Sequence, residues 1–268
     1  MRAVRFIAIN VFRESVRDKV LYNLVLFAIM LMAVSFLLGQ LTAGQDVKII
    51  KDLGLAAIAI FGLFIATFIG IGLVSKEVER RSIYSLLSKP IRRQEFILGK
   101  YLGLVLTLAV NVAAMTAAYY AVLAYMAWKA GGNFLPGWEA PALDPMLLKA
   151  VAMIFLQLMI VTAIALLFST FSSPALATAL TLALYVVGHF NADLKNFDAV
   201  VTSRPAAFLA KTLYYTLPNL SPFDVKAQVV HAVPVPVGYL LFNTAYALIY
   251  ISALLTAATV IFIRRDFK

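Results

Sequence analysis

Uncharged stretches long enough to cross a bilayer constrain this chain more than any other feature of its sequence. A helix rises about 1.5 Å per residue and the hydrocarbon core of a bilayer is about 30 Å thick, so one span needs about 20 apolar residues. The uncharged run from Ala150 to Ala192 is too long for one helix, and the polar residues before Pro174 divide it into a hairpin. The predicted spans are therefore residues 20–41, 53–75, 101–128, 150–170, 174–190 and 237–263.

The composition agrees with this interpretation. Of the 268 residues, 63% are hydrophobic and 13% are charged, whereas a globular domain has about 25% charged residues. The excess apolar surface must face lipid, which predicts an all-α integral membrane protein with one transmembrane domain over residues 1–268. The absence of cysteine excludes disulfides and thiol chemistry, and two histidines argue against a metal site.

The basic residues predict the orientation of the chain. Residues 1–19, 76–100 and 264–268 contain five, seven and three basic residues, and the remaining eight are spread over the longer loops between the other span ends. Because short basic loops resist translocation, both termini and residues 76–96 are expected in the cytoplasm and residues 191–236 outside. The net charge of +10 could also indicate nucleic-acid binding, but basic loops explain it in a membrane chain, and no nucleic-acid partner is expected.

Residues 1–19 predict an amphipathic helix at the membrane interface. Apolar residues recur at helical spacing and charged residues fill the other face, although Phe6 falls among the charges. A cleaved signal peptide is the competing interpretation, but the segment lacks a small-residue cleavage signal. The external segment 191–236 is expected to form a short helix between Pro205 and Pro218.

Catalysis or ion coupling within a membrane normally needs ionisable groups there, and the predicted spans contain no Asp, Glu, Lys or Arg. Their amides are Asn23, Asn111, Gln157 and Asn243, and the last three are candidates for a translocation path. Hydrogen bonding between helices is the alternative role for such residues. His189 with Asn191, Asp193 and Asp198 could form a metal or acid–base cluster, but polar residues at a helix end are more often caps. No catalytic residues and no metal ligands are predicted.

The charged segment between the second and third predicted spans is the most informative part of the chain. Its sequence is KEVERRSIYSLLSKPIRRQEFILGKY. Ile83, Leu86 and Leu87 form an apolar ridge at helical spacing, and Pro90 ends that helix. A short helix of this kind, with charged flanks, is suited to docking into a groove of a partner protein.

This segment resembles the cytoplasmic loop of ABC-2 type transporter permeases, in which a charged cluster precedes a short apolar helix and a Ser-Lys-Pro sequence. The matching elements are Glu77–Arg81, Ile83–Leu87, Ser88–Pro90, Arg92-Arg93, Phe96 and Gly99–Tyr101. Arg81 departs from the pattern, since many relatives have glycine there. The resemblance implies six transmembrane helices of the type V (ABC-2) exporter-like fold, with an amphipathic N-terminal interfacial helix.

The resemblance also implies partners and roles. The segment would be a coupling helix on a cytoplasmic ATPase, with Glu77, Glu79 and Arg80 as polar anchors and Ile83, Leu86 and Leu87 as the inserted ridge. Ser172 and Ser173, in the turn between the fourth and fifth spans, would make a smaller second contact. The chain itself has no GxxxxGK[ST] sequence, so it is not expected to be an enzyme, and the partner ATPase would bind ATP and Mg²⁺.

The implied complex pairs the chain with a second permease copy, identical or related, in the inner (plasma) membrane, where it would export a cargo and contact membrane lipid. Relatives handle lipids, polysaccharides, drugs or peptides, or serve metal-enzyme maturation, and the uncharged spans favour an apolar or amphipathic cargo. Two other functions stay open: a non-transporting membrane scaffold or assembly factor, and an ion-driven secondary carrier.

Overall fold

The structure is a computed structural model that describes residues 2–40, 46–79, 92–129, 143–190, 211–212, 214 and 216–264. These residues form helices and connections, with no strand among them. A 3₁₀ helix, Ser221–Phe223, precedes the seventh of the α-helices. The α-helices are α1 (Arg2–Val16), α2 (Lys19–Gln40), α3 (Asp46–Glu79), α4 (Arg93–Lys129), α5 (Met146–Ser169), α6 (Pro174–His189), α7 (Lys226–Val230) and α8 (Val237–Arg264).

Each predicted span falls on one of these helices, from α2 to α6 and α8. Within the described residues, four stretches are long and apolar enough to cross a membrane: Val47–Gly72, Arg93–Trp128, Met146–Ser169 and Val237–Arg264. Leu21–Val34 and Pro174–His189 are shorter apolar helical stretches. The 16 residues of α6 give a length of about 24 Å, which is less than the hydrocarbon thickness of about 30 Å.

Helices α3 and α4 extend beyond the second and third predicted spans. Helix α3 begins at Asp46 rather than at residue 53 and continues to Glu79. Helix α4 begins at Arg93 rather than at residue 101, so the predicted loop 76–96 overlaps both helices. The reason is that charge marks where lipid contact ends, whereas a helix continues as long as its backbone hydrogen bonds are made.

Helix α5 lies at the centre of the bundle. It contacts α3, α4, α6 and α8, and most of its residues are buried. Helix α2 packs against α3 and α4. The central position fits the composition of α5, whose residues between Lys149 and Ser169 are almost all apolar, because a helix that is apolar on all sides is buried or faces lipid.

The described part of segment 191–236 folds onto this bundle. Leu220, Phe223 and Val229 are fully buried, and α7 packs against α3 and α5. The backbone N–H of Leu220 donates to Gly188 O at 2.9 Å, which joins the segment to the end of α6. The short helix predicted between Pro205 and Pro218 lies mostly outside the described residues, although Thr212 and Thr216 at its end are helical.

Helix α1 packs along the first turns of α4, and two glycines make this approach possible. A Cβ atom on Gly99 would lie 2.8 Å from Ile7 Cβ. One on Gly103 would lie 2.6 Å from Val11 Cβ and 2.7 Å from Ala8 O. The apolar stripe of α1, which sequence analysis assigns to the membrane interface, therefore packs against a helix of the same chain.

We predict that Gly103→Ala lowers the thermal stability of the protein. The new methyl group must push Val11 and the α1 backbone away, and overpacking of this kind typically costs about 1–3 kcal/mol. The control is Gly238→Ala in α8, where a Cβ atom meets nothing within 4 Å and alanine should be neutral or stabilising. Thermal unfolding in detergent measures both, and equal stability of the two variants would contradict the close approach.

Candidate functional site

The predicted ATPase-binding residues lie where α3 ends and before α4 begins. Glu77 and Glu79 are in the last turn of α3. Arg80, Ile83, Leu86 and Leu87 lie outside the described residues. Because α3 and α4 both extend beyond their uncharged stretches, each carries helical structure into the predicted coupling segment, residues 76–96. That Glu77, Glu79 and the residues of segment 80–87 bind an ATPase stays a prediction.

The turn with Ser172 and Ser173 lies at the same end of the bundle as the end of α3. Ile71 of α3, Ala165 of α5 and Ala177 of α6 form a buried cluster beside this turn. Ser172 Oγ donates to Phe168 O at 2.7 Å, and Ser173 is the extended residue before Pro174, the first residue of α6. Ser173 is exposed and Ser172 is half-buried, so the turn presents a polar surface beside the end of α3.

Arg93, the first residue of α4, caps the carboxyl end of α8. Its Nη1 atom donates to Phe262 O at 3.1 Å and to Ile263 O at 2.9 Å. The last carbonyl groups of a helix have no partner within the helix and carry a partial negative charge, so an arginine is favourable there. The start of α4 is thereby joined to the end of α8.

Aromatic contacts reinforce this junction. The rings of Phe96 and Phe262 stack with centroids 5.6 Å apart. Lys100 is almost fully buried, and its Nζ atom lies 5.5 Å from the centroid of the Phe96 ring, a cation–π arrangement. Arg93, Phe96 and Lys100 belong to the sequence that resembles the permease loop, and the structure gives them a common role in joining α4 to α8.

The pairing of Arg93 with α8 was not predicted from sequence. The two partners are separated by 169 residues, and no pattern in the sequence relates them. A basic residue three positions after a proline signals only a helix start near an interface. The backbone carbonyls that it contacts have no sequence signal.

The three candidate translocation residues are all buried but do not share one hydrogen-bond network. Asn111 Nδ2 donates to Thr107 O at 2.7 Å, and Asn243 Nδ2 donates to Tyr239 O at 2.8 Å. Both bonds lie within the residue's own helix, one turn back. Each bond leaves the amide oxygen as a further acceptor, and the role of these residues in a translocation path stays a prediction.

Gln157 joins two helices instead. Its Nε2 atom lies 2.7 Å from His189 Nε2, while His189 Nδ1 lies 2.8 Å from Tyr185 O. A histidine that donates from Nδ1 to a carbonyl can accept at Nε2, which suits the Gln157 amide as the donor to that nitrogen. Gln157 thus makes a hydrogen bond between α5 and α6, which is the structural role considered above as the alternative for such amides. The bond also gives His189 a structural partner. Asn191, Asp193 and Asp198 of the considered cluster lie outside the described residues.

At the end of the bundle opposite to the coupling segment, ionisable side chains are buried between helices. Lys51 is 1% exposed and Asp144 is 7% exposed, and the two attract each other electrostatically. Tyr119 donates to Lys51 O at 3.2 Å, and Tyr120 donates to Asp144 O at 3.0 Å. Lys51 falls between the first two predicted spans, whereas the structure buries it in the second turn of α3, where the charge of Asp144 and the apolar stem of lysine favour its burial.

A groove of about 500 Å³ opens between α4 and α5. Small residues on α4, among them Ala109, Ala113 and Ala117, leave the space, and Phe155 of α5 lines it. Tyr120 lies at the end nearest to Asp144. The lining is almost entirely apolar, so the groove suits hydrocarbon rather than a hydrated ion.

Apolar helices of spanning length, packed into one bundle, define a multi-pass membrane protein. Comparison with known protein families matches residues 5–267 to the ABC-2 family transporter protein family. The chain therefore belongs to the ABC-2 transporter family. Permeases of this family are transmembrane components of ABC transporters. This confirms the resemblance inferred from the coupling segment. No curated protein matches the chain.

We predict that Arg93→Ala loosens the last turn of α8. Loss of hydrogen bonds from a charged donor typically costs about 1.5–3 kcal/mol, which corresponds to at least about a tenfold rise in local opening. Hydrogen exchange of the peptide covering residues 255–264 measures this opening. Arg264→Ala, which removes an exposed arginine from the same turn, is the control, and equal exchange in both variants would contradict the cap.

Proposed function

We propose that this chain is the membrane-spanning permease subunit of an ABC transporter, which forms the translocation path and is driven by a separate cytoplasmic ATPase. Membership of the ABC-2 family over residues 5–267 carries the proposal. Helices α3 and α4 support it, because both reach the segment whose sequence predicts a docking helix. ATP and Mg²⁺ would bind to the ATPase, since this chain has no phosphate-binding glycine sequence.

The proposed topology has six spans, α2 to α6 and α8, in the type V (ABC-2) arrangement. The termini and the coupling segment would be cytoplasmic, because the basic residues concentrate there. The membrane would be the plasma (inner) membrane and the direction export, as the resemblance implies. The Ser172-Ser173 turn would face the ATPase as well, since it lies at the same end of the bundle as the end of α3.

A second permease copy is part of the proposal, and α8 supports it. Only 22% of the most apolar stretch of α8 is buried, whereas 61 to 72% of the corresponding stretch is buried in the other three long apolar helices. Its outward face includes large apolar side chains, which must contact lipid or another transmembrane helix. These exposed residues are Val237, Leu241, Phe242, Leu248, Ile249, Val260 and Ile263.

The groove between α4 and α5 favours an amphipathic or apolar cargo. Its lining along α4 from Ala109 to Ala117 is apolar except for Thr116, and Tyr120 lies at the end of this stretch. Hydrocarbon would fill such a space with little desolvation cost, whereas a small ion would lose its hydration shell there. An ion-driven carrier would need a polar path instead, so the groove supports the ABC transporter over that alternative.

We predict that Leu86→Ala with Leu87→Ala releases the ATPase from the complex. Truncating a leucine buried at an interface typically costs about 2–5 kcal/mol, enough to weaken docking by orders of magnitude. Glu79→Arg should retain some assembly but impair substrate-stimulated ATP hydrolysis, because reversal of a paired charge introduces repulsion. Pull-down of the ATPase and hydrolysis rates in nanodiscs measure the two effects.

The matched control is Leu98→Ala with Leu102→Ala, which truncates two exposed leucines of α4 outside the coupling segment. If the ridge variant and Glu79→Arg both behave like this control, the segment is an ordinary connection. A membrane scaffold without transport would then explain the chain better. Uphill transport by the chain alone, without nucleotide, would favour an ion-driven carrier.

A further inference from the structure

The hydroxyl group of Thr67, in α3, is buried without a partner. Thr67 is 0% exposed, and its Oγ1 atom has no hydrogen-bond partner among the residues that the structure describes. Thr162 and Thr181 are also buried, but each donates to the backbone carbonyl one turn earlier in its own helix. Because a buried hydroxyl without a partner is destabilising, Thr67 disfavours the conformation in which it is found.

Thr67 lies opposite Thr181 across the contact between α3 and α6. Ile71 of α3 and Ala177 of α6 belong to one buried cluster, and α3 runs towards this end of the bundle whereas α6 runs away from it. Thr67 is four residues before Ile71 and Thr181 is four residues after Ala177, so both lie about 6 Å from the cluster on the same side of it. Residues four apart share a helix face, so the two threonines face the same contact.

Helix α6 is attached differently at its two ends. The end near His189 is held by the hydrogen bonds of His189 with Gln157 and of Leu220 with Gly188. The end near Pro174 packs through the small cluster around Ala177.

The buried face of α6 is small and smooth. Of the 16 residues of this helix, Ala177, Thr181 and Gly188 are the buried ones. Gly70 of α3 faces Ala165 of α5 in the same region, where a Cβ atom on the glycine would lie 3.3 Å from Ala165 Cβ. Packed helices shift against each other by small sliding movements, and the absence of large side chains from this face favours such a shift.

We propose that α6 pivots about its end near His189 between two positions, and that Thr67 donates to Thr181 Oγ1 in the second. The structure is the first position, in which the Thr67 hydroxyl is unpaired. Thr181 Oγ1 keeps a lone pair for this donor while it donates to Ala177 O. The unpaired hydroxyl destabilises the first position relative to the second, and we expect both to be populated. The inference concerns this chain alone and goes beyond the proposed function.

The test measures distances between pairs of spin labels by electron paramagnetic resonance, in the full chain in nanodiscs. The chain has no cysteine of its own, so introduced cysteines are labelled specifically, and dilution with unlabelled chain restricts the signal to distances within one molecule. Labels at Leu176 of α6 and Leu102 of α4 report on the end near Pro174, and labels at Val186 of α6 and Ala124 of α4 report on the other end. All four side chains are exposed. We expect two distances for the first pair and one for the second.

Thr67→Val should lower the population of the second position about tenfold relative to the first. Valine has nearly the shape of threonine but cannot donate, so the first position loses its unpaired hydroxyl and the second loses a hydrogen bond. The factor corresponds to about 1.4 kcal/mol. Thr67→Ser, which keeps the hydroxyl, should retain both distances.

Thr181→Val should shift the populations as much as Thr67→Val, because it removes the acceptor. The two substitutions together should shift them no further, since the same hydrogen bond is lost only once. The matched control is Thr162→Val in α5, whose hydroxyl is buried but already donates to Leu158 O. It should leave the two populations unchanged.

Several results would overturn the proposal. A single distance between Leu176 and Leu102 would show that α6 does not move, and two distances between Val186 and Ala124 would contradict a pivot at that end. Populations that Thr67→Val leaves unchanged, or that Thr162→Val shifts equally, would show that the movement does not depend on the Thr67 hydroxyl. A shift with Thr67→Val but not with Thr181→Val would contradict the assigned acceptor. None of these measurements requires an ATPase, so their outcome is independent of the proposed function.

Discussion

The close approach of α1 to α4 at Gly99 and Gly103 is the contact on which one end of this bundle depends. Helices in a membrane gain little from the hydrophobic effect when they associate, so close packing over small residues provides much of their attraction. A Cβ atom at either glycine would overlap Ile7 or Val11, so the two helices fit only with glycine at these positions. Because α2 begins at Lys19, just after α1 ends, the same contact restrains the entry of the first span.

The cap on α8 extends this restraint. Arg93 lies less than two turns before Gly99 on α4, and it holds the last carbonyl groups of α8 while Phe96 stacks on Phe262. Helices α1, α4 and α8 are thereby joined at the point where α4 leaves the coupling segment. We infer that a force on that segment moves these three helices as one body. At the far end, Lys51, Asp144 and the two tyrosines join α3, α4 and the start of α5.

The sequence predicted the long apolar helices and the family because both depend on local signals. Hydropathy located α5, α6 and α8 within a few residues, and the motif before Tyr101 indicated the ABC-2 family. Helices α3 and α4 extend beyond the predicted spans because charged residues continue both helices. An amphipathic stripe is the same whether it faces lipid or another helix, so the packing of α1 on α4 could not be predicted.

The candidate site was predicted only in part for the same physical reason. The Ser172-Ser173 turn was found because a proline after polar residues ends a helix by local rules. The contacts of Arg93 with α8 and of Gln157 with His189 join residues that are distant in the sequence. Such pairings are set by the three-dimensional packing, and a single sequence carries no signal for them.

The distance between spin labels at Asn10 of α1 and Leu102 of α4, measured by electron paramagnetic resonance, tests the account most directly. Both side chains are exposed and can carry a label. In the complex proposed above, this distance would be measured without nucleotide and with trapped ATP, alongside the distance between the Leu102 labels of the two proposed permease copies. The account predicts that ATP changes the second distance and leaves the first unchanged. A shift of the first distance by one helical turn, about 5 Å, would show that α1 slides along α4 and would contradict a single moving body.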